Sequence, residues 1–344
     1  MQIKVVTGAC GFVGRHLVKR LRNISDEHIL MIDDLSTGLN PDKWLNASYK
    51  DKGKNIKFYG NRIIFIQTDV RAFFSKSNEY LKQIFHGEEI EFSDVYHLAA
   101  VVGGRLQIEE DPLAVAVDLS IDAEFFRWLT QQRVNRVLYP SSSAAYPIPL
   151  QTKSSNKALA EHDIDLDNIS NPDLTYGWAK LTGEYLAKLT AEKYGIHICC
   201  VRPFSGYGGD QEPEYPVPAI AKRFVMKENP VDVWGDGTQY RDFIHIDDVI
   251  DGMIVALEKI GDGSAVNLGT GQKTSFLELL KVLSEICNHK PEIRPLLNKP
   301  VGVHTRYADM TLSKELLDWA PKIDLRSGMT RVIRDITNKT SDDN

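Results

Sequence analysis

The chain has 344 residues and 42% hydrophobic content, enough for a dinucleotide-binding domain and a smaller second unit. Its net charge of −6 argues against nucleic acid and anionic membranes as main partners, and no apolar run is long enough to cross a bilayer. Four scattered cysteines without metal-ligand spacing, and an N-terminus without a signal-peptide layout, predict a reduced cytoplasmic protein with no bound metal.

The first element is an apolar run, 3–6. It leads into Thr7-Gly8-Ala9-Cys10-Gly11-Phe12-Val13-Gly14 and then into Val13, Leu17, Val18 and Leu21 at helical spacing. The order is strand, glycine turn, helix. Gly8 allows a tight turn, Gly11 lets the main chain approach a pyrophosphate, and Gly14 lets the helix close on the sheet. Exposed N–H groups at the helix start favour a phosphate. A second run, 28–32, ends in Asp33, at the spacing of a carboxylate that holds an adenosine ribose. An acid there repels a 2′-phosphate. Asp34 follows with no arginine beside it, so the expected cofactor is NAD rather than NADP. A third run, 62–66, ends at Thr68-Asp69-Val70.

Strand and helix signals keep alternating. The stretch 54–60 reads as a polar loop, 78–85 as a helix, and 94–100 as a strand whose small last residues leave room for a cofactor. Val101-Val102-Gly103-Gly104-Arg105 then forms a loop beside the nicotinamide end. A helix is expected over 123–132, a strand over 134–142, a long helix over 176–194 and a buried strand over 196–204. The Gly- and Pro-rich stretch 205–218 begins a substrate-facing portion. Short strands at 232–234 and 239–244 flank Gly235-Asp236-Gly237. A helix over 247–259, a strand over 265–269, helices over 275–287 and 313–319, and a frayed polar tail, 337–344, complete the chain. This order implies an α/β fold: a doubly wound parallel sheet of Rossmann type over 1–204, and a smaller mixed α/β substrate-binding portion over 205–336 that returns a strand or helix to the first.

Tyr176-Gly177-Trp178-Ala179-Lys180 puts a phenol and an amine one turn apart on one helix face. A phenol ionises near pH 10, too high for a base at neutral pH, and a nearby ammonium would lower that value. Tyr176 could then take a proton from a sugar hydroxyl. The strand ending in Ser141-Ser142-Ser143 would bring Ser142 beside the cofactor's reactive ring, to share that proton.

Gly8 to Gly14, His97-Leu98-Ala99-Ala100, Ser141 to Tyr146, and Tyr176 to Lys180 together resemble the extended short-chain dehydrogenase/reductase family. Within it the chain is similar to the NAD-dependent nucleotide-sugar epimerases and dehydratases. Asp33-Asp34-Leu35-Ser36-Thr37-Gly38 resembles the ribose loop of UDP-galactose 4-epimerases. Arg202-Pro203-Phe204, Trp234-Gly235-Asp236-Gly237, Arg241-Asp242-Phe243-Ile244-His245 and Arg306-Tyr307-Ala308-Asp309 are further markers of the family. The resemblance implies catalysis by Ser142, Tyr176 and Lys180. It implies an NAD site built from Gly8, Gly11, Phe12, Val13, Gly14, the 33–38 loop, Asp69, Val70, Leu98, Ala99, Ala100, Tyr176, Lys180 and Pro203. It places Arg241 and Arg306 on the substrate's diphosphate and Asp309 near the nucleotide ribose. Gly103, Gly104, Arg105, Ser143, Ser205 and Val217 complete the implied substrate site. A homodimer through the helices around Ala123 and Tyr176 is implied as well.

Departures from the family narrow the reaction. The 4,6-dehydratases carry Thr-Asp-Glu where this chain has Ser142-Ser143-Ala144, so the acids that eliminate water are missing. Val101-Val102-Gly103-Gly104 and Ser143 to Pro147 resemble GDP-mannose 3,5-epimerase. The proton-moving cysteine and lysine of that enzyme correspond to Ala144 and Pro216, which move none. Ser205 and Asp118 each stand where the family carries asparagine. The expected activity is inversion at C4 of a nucleotide-diphospho-hexose through a transient 4-keto sugar. Net 4-dehydrogenation, decarboxylation of a UDP-uronate, dehydration, and 3,5-epimerisation with Arg105 or His245 as substitute acids are the alternatives of the same fold.

Overall fold

A computed structural model describes residues 1–53, 55–101, 103 and 105–342. The apolar runs fold as strands of one nine-stranded sheet. These are β1 (Gln2–Thr7), β2 (His28–Asp33), β3 (Tyr49–Asp51), β4 (Ile56–Tyr59), β5 (Ile63–Gln67), β6 (Glu91–His97), β7 (Val134–Pro140), β8 (His197–Pro203) and β9 (Asp262–Leu268), in the order β9-β8-β7-β6-β1-β2-β5-β4-β3. The seven long strands pair in parallel. Such strands are covered on both faces, which is why 29–32, 63–66 and 198–201 are continuous apolar runs. Two antiparallel strands extend one edge. β4 pairs Ile56 with Ile66 and Tyr59 with Ile63, and β3 pairs with β4. Most of the expected 54–60 loop is therefore strand; Lys54 lies outside the described residues.

Helices cover both faces. On one, α1 (Phe12–Ile24) and α5 (Ile246–Lys259) bury Leu17, Val18, Leu21, Val249, Ile250 and Met253 against the sheet. On the other, α2 (Val70–Phe85), α3 (Val117–Leu129) and α4 (Leu174–Tyr194) bury Phe73, Phe125, Trp128 and Ala187. The strand order turns back between β1 and its two neighbours, which opens a crevice at the carboxyl ends of the strands. The glycine turn, Asp33, Ser142 and Pro203 all border that crevice.

In the smaller portion the expected strands flank 235–237 but do not pair with each other. Val231–Trp234 pairs in parallel with Ile293–Leu296, and Phe243–His245 pairs with Ser205–Tyr207. Tyr240–Arg241 lies between Thr274–Ser275 and Thr305–Arg306. A helix over Pro216–Val225 occupies part of the Gly- and Pro-rich stretch. The polar tail is in fact the end of a helix, α6 (Leu325–Asp342), whose Met329, Val332 and Ile336 pack into a third core cluster. Asp343 and Asn344 lie outside the described residues. Among those described, no helix is long and apolar enough to cross a membrane.

One buried ion pair fixes the long helix to the sheet. Arg202, at the end of β8, donates Nε to Glu184 Oε1 at 2.8 Å and Nη2 to Oε2 at 2.7 Å, both side chains being almost fully buried. Arg202 Nη1 also donates to Tyr146 Oη and to the Glu161 carbonyl. Removing one partner strands a charge in the interior. Arg202→Met should lower the unfolding free energy by about 3–5 kcal/mol in urea titrations; a loss below about 1 kcal/mol would show that the pair holds nothing.

Candidate active site

The glycine turn follows β1. Gly8 has φ +63°, and a Cβ on Gly14 would lie 2.2 Å from the Gly8 carbonyl, so α1 starts directly on the turn. Gly11 is the N-cap of α1 and supplies no capping side chain, which leaves the N–H groups of Phe12, Val13 and Gly14 for an anion. Asp33 Oδ2 accepts from the Cys10 N–H at 2.9 Å and Oδ1 from the Leu35 N–H at 2.8 Å. Each oxygen keeps a lone pair for another donor. Burial raises the Asp33 carboxyl, and those two N–H groups partly offset the rise. The ribose loop is held by Asp34, which accepts from Ser36, and by the Leu39 N–H on the Cys10 carbonyl, so Thr37 and Gly38 fold over Cys10. Leu98 and Ala99 donate to the Thr7 carbonyl and hydroxyl, which sets Ala100 and the end of β6 against the turn. Asp69 is the N-cap of α2, one residue before Val70, and both its oxygens are held by Arg71, at 2.8 and 2.7 Å. Sequence reasoning missed Arg15. It is buried under the turn, donates to the Cys10 carbonyl at 2.9 Å and pairs with Asp210 at 3.3 Å, which ties the turn to 208–210.

Tyr176 and Lys180 share one face of α4, with Lys180 Nζ 5.8 Å from the centre of the phenol ring. Ser142 follows β7 as the cap of a short turn, accepting from the Ala144 N–H at 3.1 Å, with its hydroxyl close enough to the Tyr176 phenol to favour the phenolate. A Cβ on Gly177 would lie 2.4 Å from the Ala144 carbonyl, so only glycine lets α4 press this close to the Ser142 turn. Ser143 is buried inside that turn.

The electrostatics differ from expectation. Burial raises the Tyr176 phenol. Lys180 and Ser142 lower it, but Asp118 and Asp122 raise it, and the net shift is upward. Two carboxylates behind the ammonium offset its pull. Burial disfavours the Lys180 ammonium, yet Asp122, Asp118 and Tyr176 outweigh that and hold it charged. Asp122 accepts from Tyr139 Oη at 2.6 Å and lies 3.3 Å from His97 Nε2. Asp118 accepts from the Val101 N–H at 2.5 Å, and its other oxygen is buried without a partner among the described residues.

Three guanidiniums form the opposite wall. Arg241 and Arg306 are register partners in adjacent parallel strands. Arg105 begins a short helix, Arg105–Glu110, rather than ending a loop. Asp173 sits between two of them: Arg105 Nη1 lies 2.9 Å from Oδ1, and Arg306 Nη2 lies 2.7 Å from Oδ2. Arg306 Nε also donates to Gln151 at 2.5 Å. Burial and the like charges of Arg306 and Arg105 push Arg241 down. Gly103 lies two residues before Arg105; Gly104 and Val102 lie outside the described residues. Asp309 is occupied by the Thr311 N–H at 2.8 Å, Ser205 is a strand residue paired with Phe243, and Val217 is a core residue of its helix. His245 caps α5 through the Asp247 N–H, which assigns it a helix-capping role.

The chain is similar in sequence and fold to several known proteins. The UDP-glucuronate 4-epimerase of Thermodesulfobacterium geofontis is 28% identical over 331 residues, covering 96% of this chain and 94% of that one. The crystal structure of a UDP-glucose 4-epimerase with UDP-glucose from Thermotoga maritima superposes with a TM-score of 0.79 at 26% identity, covering 99% of this chain and all of that one. A UDP-glucuronic acid 4-epimerase from Bacillus cereus, in complex with UDP-glucuronic acid and NAD, superposes with a TM-score of 0.78 at 25% identity over 98% of this chain and all of that one. Residues 4–269 match the NAD dependent epimerase/dehydratase family, and the chain belongs to it.

Proposed function

We propose that this protein is an NAD-dependent epimerase that inverts C4 of a UDP-hexose or UDP-hexuronate. The observation that carries the reading is the convergence of Ser142, Tyr176 and Lys180 at the carboxyl end of β7, opposite Arg241 and Arg306. The residues fit the cofactor. A Cβ on Gly11 would meet only the Gly8 carbonyl, at 3.4 Å, so the turn leaves open space for a pyrophosphate, and Asp33 keeps lone pairs for ribose hydroxyls. In this reading residues 1–204 hold NAD through the glycine turn, the 33–38 loop and the end of β6. Residues 205–336 hold the nucleotide sugar, with α5 and β9 returning to the main sheet.

When bound, NAD supplies a hydride acceptor and donor. The chain's own residues manage the proton and the substrate. Ser142 and Tyr176 take the C4 hydroxyl proton, Lys180 keeps the phenolate form accessible, and the arginines fork onto the diphosphate. Ala144 and Pro216 leave no acid to move a proton at C3 or C5, which favours simple inversion. The outer faces of α3 and α4 expose Leu119, Trp178 and Tyr185, which supports a homodimer formed through these helices. Four unpaired cysteines support a cytoplasmic location.

Tyr176→Phe should lower kcat by at least about a thousandfold while a UDP-sugar still binds with near-normal affinity, as read by steady-state kinetics and calorimetry. Near-normal turnover would remove Tyr176 from the mechanism.

Asp118 gives a pH test. Burial pushes its carboxyl up to about 6, with Lys180 and the Val101 N–H pulling down and Asp122 pushing up. The folded state thus binds a proton more tightly than the unfolded chain. That contribution to stability is complete below about pH 4 and lost as pH rises through about 6. Asp118→Asn stays neutral, so it should exceed the wild type in unfolding free energy by about 2–3 kcal/mol at pH 7 and by nothing near pH 4. An equal difference at both pH values would contradict the raised carboxyl.

A further inference from the structure

Asp173 stands at the N-cap of α4, three residues before Tyr176, yet its side chain caps nothing. Its two oxygens go instead to Arg105 and Arg306, at 2.9 and 2.7 Å. Its backbone joins the catalytic parts. The Asp173 N–H donates to the Ala144 carbonyl at 2.9 Å, beside Ser142, and its own carbonyl accepts from the Gly177 N–H at 2.9 Å. One residue therefore joins the arginines, through its carboxylate, to the serine turn and the first turn of α4, through its backbone. Leu174, next in sequence, has φ +53° and is 39% exposed. A leucine in the left-handed region is strained, and such strain persists where the surroundings hold two elements in tension.

Charge gives the direction of change. Arg105, Arg241 and Arg306 carry three positive charges against two negative ones, that of Asp173 and that of Glu109, which accepts from Arg105 Nε at 2.5 Å. A diphosphate brings two more negative charges to the same guanidiniums and competes with the carboxylate for them. Once released, an aspartate at an N-cap is among the best acceptors for the free N–H groups of a first helical turn.

We propose that Asp173 is a positioning residue with two alternative sets of partners: Arg105 and Arg306 in the free enzyme, and the first-turn N–H groups of α4 once the substrate's diphosphate has taken the arginines. Binding at the phosphates thereby tightens the turn that carries Tyr176. The proposal rests on the assignment of Arg241 and Arg306 to a diphosphate.

Two neutral variants separate its parts. UDP affinity is measured by calorimetry, and kcat and KM with the productive UDP-sugar. Asp173→Asn and Asp173→Ala both free the guanidiniums, so each should bind UDP about tenfold more tightly than the wild type. Asparagine can still cap the helix and alanine cannot, so Asp173→Ala should lose about tenfold in kcat and Asp173→Asn should recover most of it. In the wild type, UDP should slow hydrogen exchange at the amides of residues 175 and 176, a readout that needs no variant to fold. Unchanged or weaker UDP binding in both variants, equal kcat losses in both, or unaltered exchange at 175 and 176 would each overturn the proposal while leaving the epimerase reading intact. Failure of the wild type to bind UDP at all would overturn the diphosphate assignment first, and the proposal with it.

Discussion

The site depends on one buried ammonium. Lys180 is only 4% exposed, and a lone cation at that depth would shed its proton. Asp122 and Asp118 prevent this, and each is fixed in turn by Tyr139 and by the Val101 N–H. The same carboxylates raise the Tyr176 phenol. The site therefore trades some activation of its base for a permanently charged lysine. In the absence of a positive ring nearby, the phenol stays protonated. A cationic nicotinamide would add the missing positive charge, which couples readiness of the base to the oxidised cofactor.

The substrate wall follows a different rule. There the fold gathers like charges, and the register of Arg241 opposite Arg306 is set by backbone pairing across 65 residues of sequence. Asp173 relieves part of that repulsion and leaves the rest for an anion. Three guanidiniums against two carboxylates, Asp173 and Glu109, keep a net positive charge, which supports the proposal that a diphosphate binds there.

Much of this was legible in the sequence. Parallel strands buried on both faces are written as apolar runs, and the glycine turn and Asp33 have a spacing that few other structures require. The edge strands and the strand pairing of the smaller portion were not legible, although its strands at 231–234 and 262–268 and its helices at 246–259, 276–286 and 311–317 were. Strands of two to four residues take partners far along the chain, as Tyr240 does with Ser275 and Thr305, and local periodicity carries no record of that. α6 was overlooked although Leu325, Met329, Val332 and Ile336 recur at spacings of four, three and four, because the intervening residues are polar. The main misreading at the site concerned charge. The expected lowering of the phenol by Lys180 left out Asp118 and Asp122, one turn apart on α3, which tertiary packing turns inward onto Lys180. Asp173, which the sequence reading did not single out, is a counter-ion to Arg105 and Arg306.

The most direct measurement is proton NMR of the products formed from UDP-glucuronate and UDP-glucose in deuterated water. Inversion by hydride removal and return predicts a C4 epimer that keeps its original hydrogen at C4 and gains no deuterium at C3 or C5. Deuterium at C3, C4 or C5, loss of the carboxylate from the uronate, or no conversion of either sugar would contradict it.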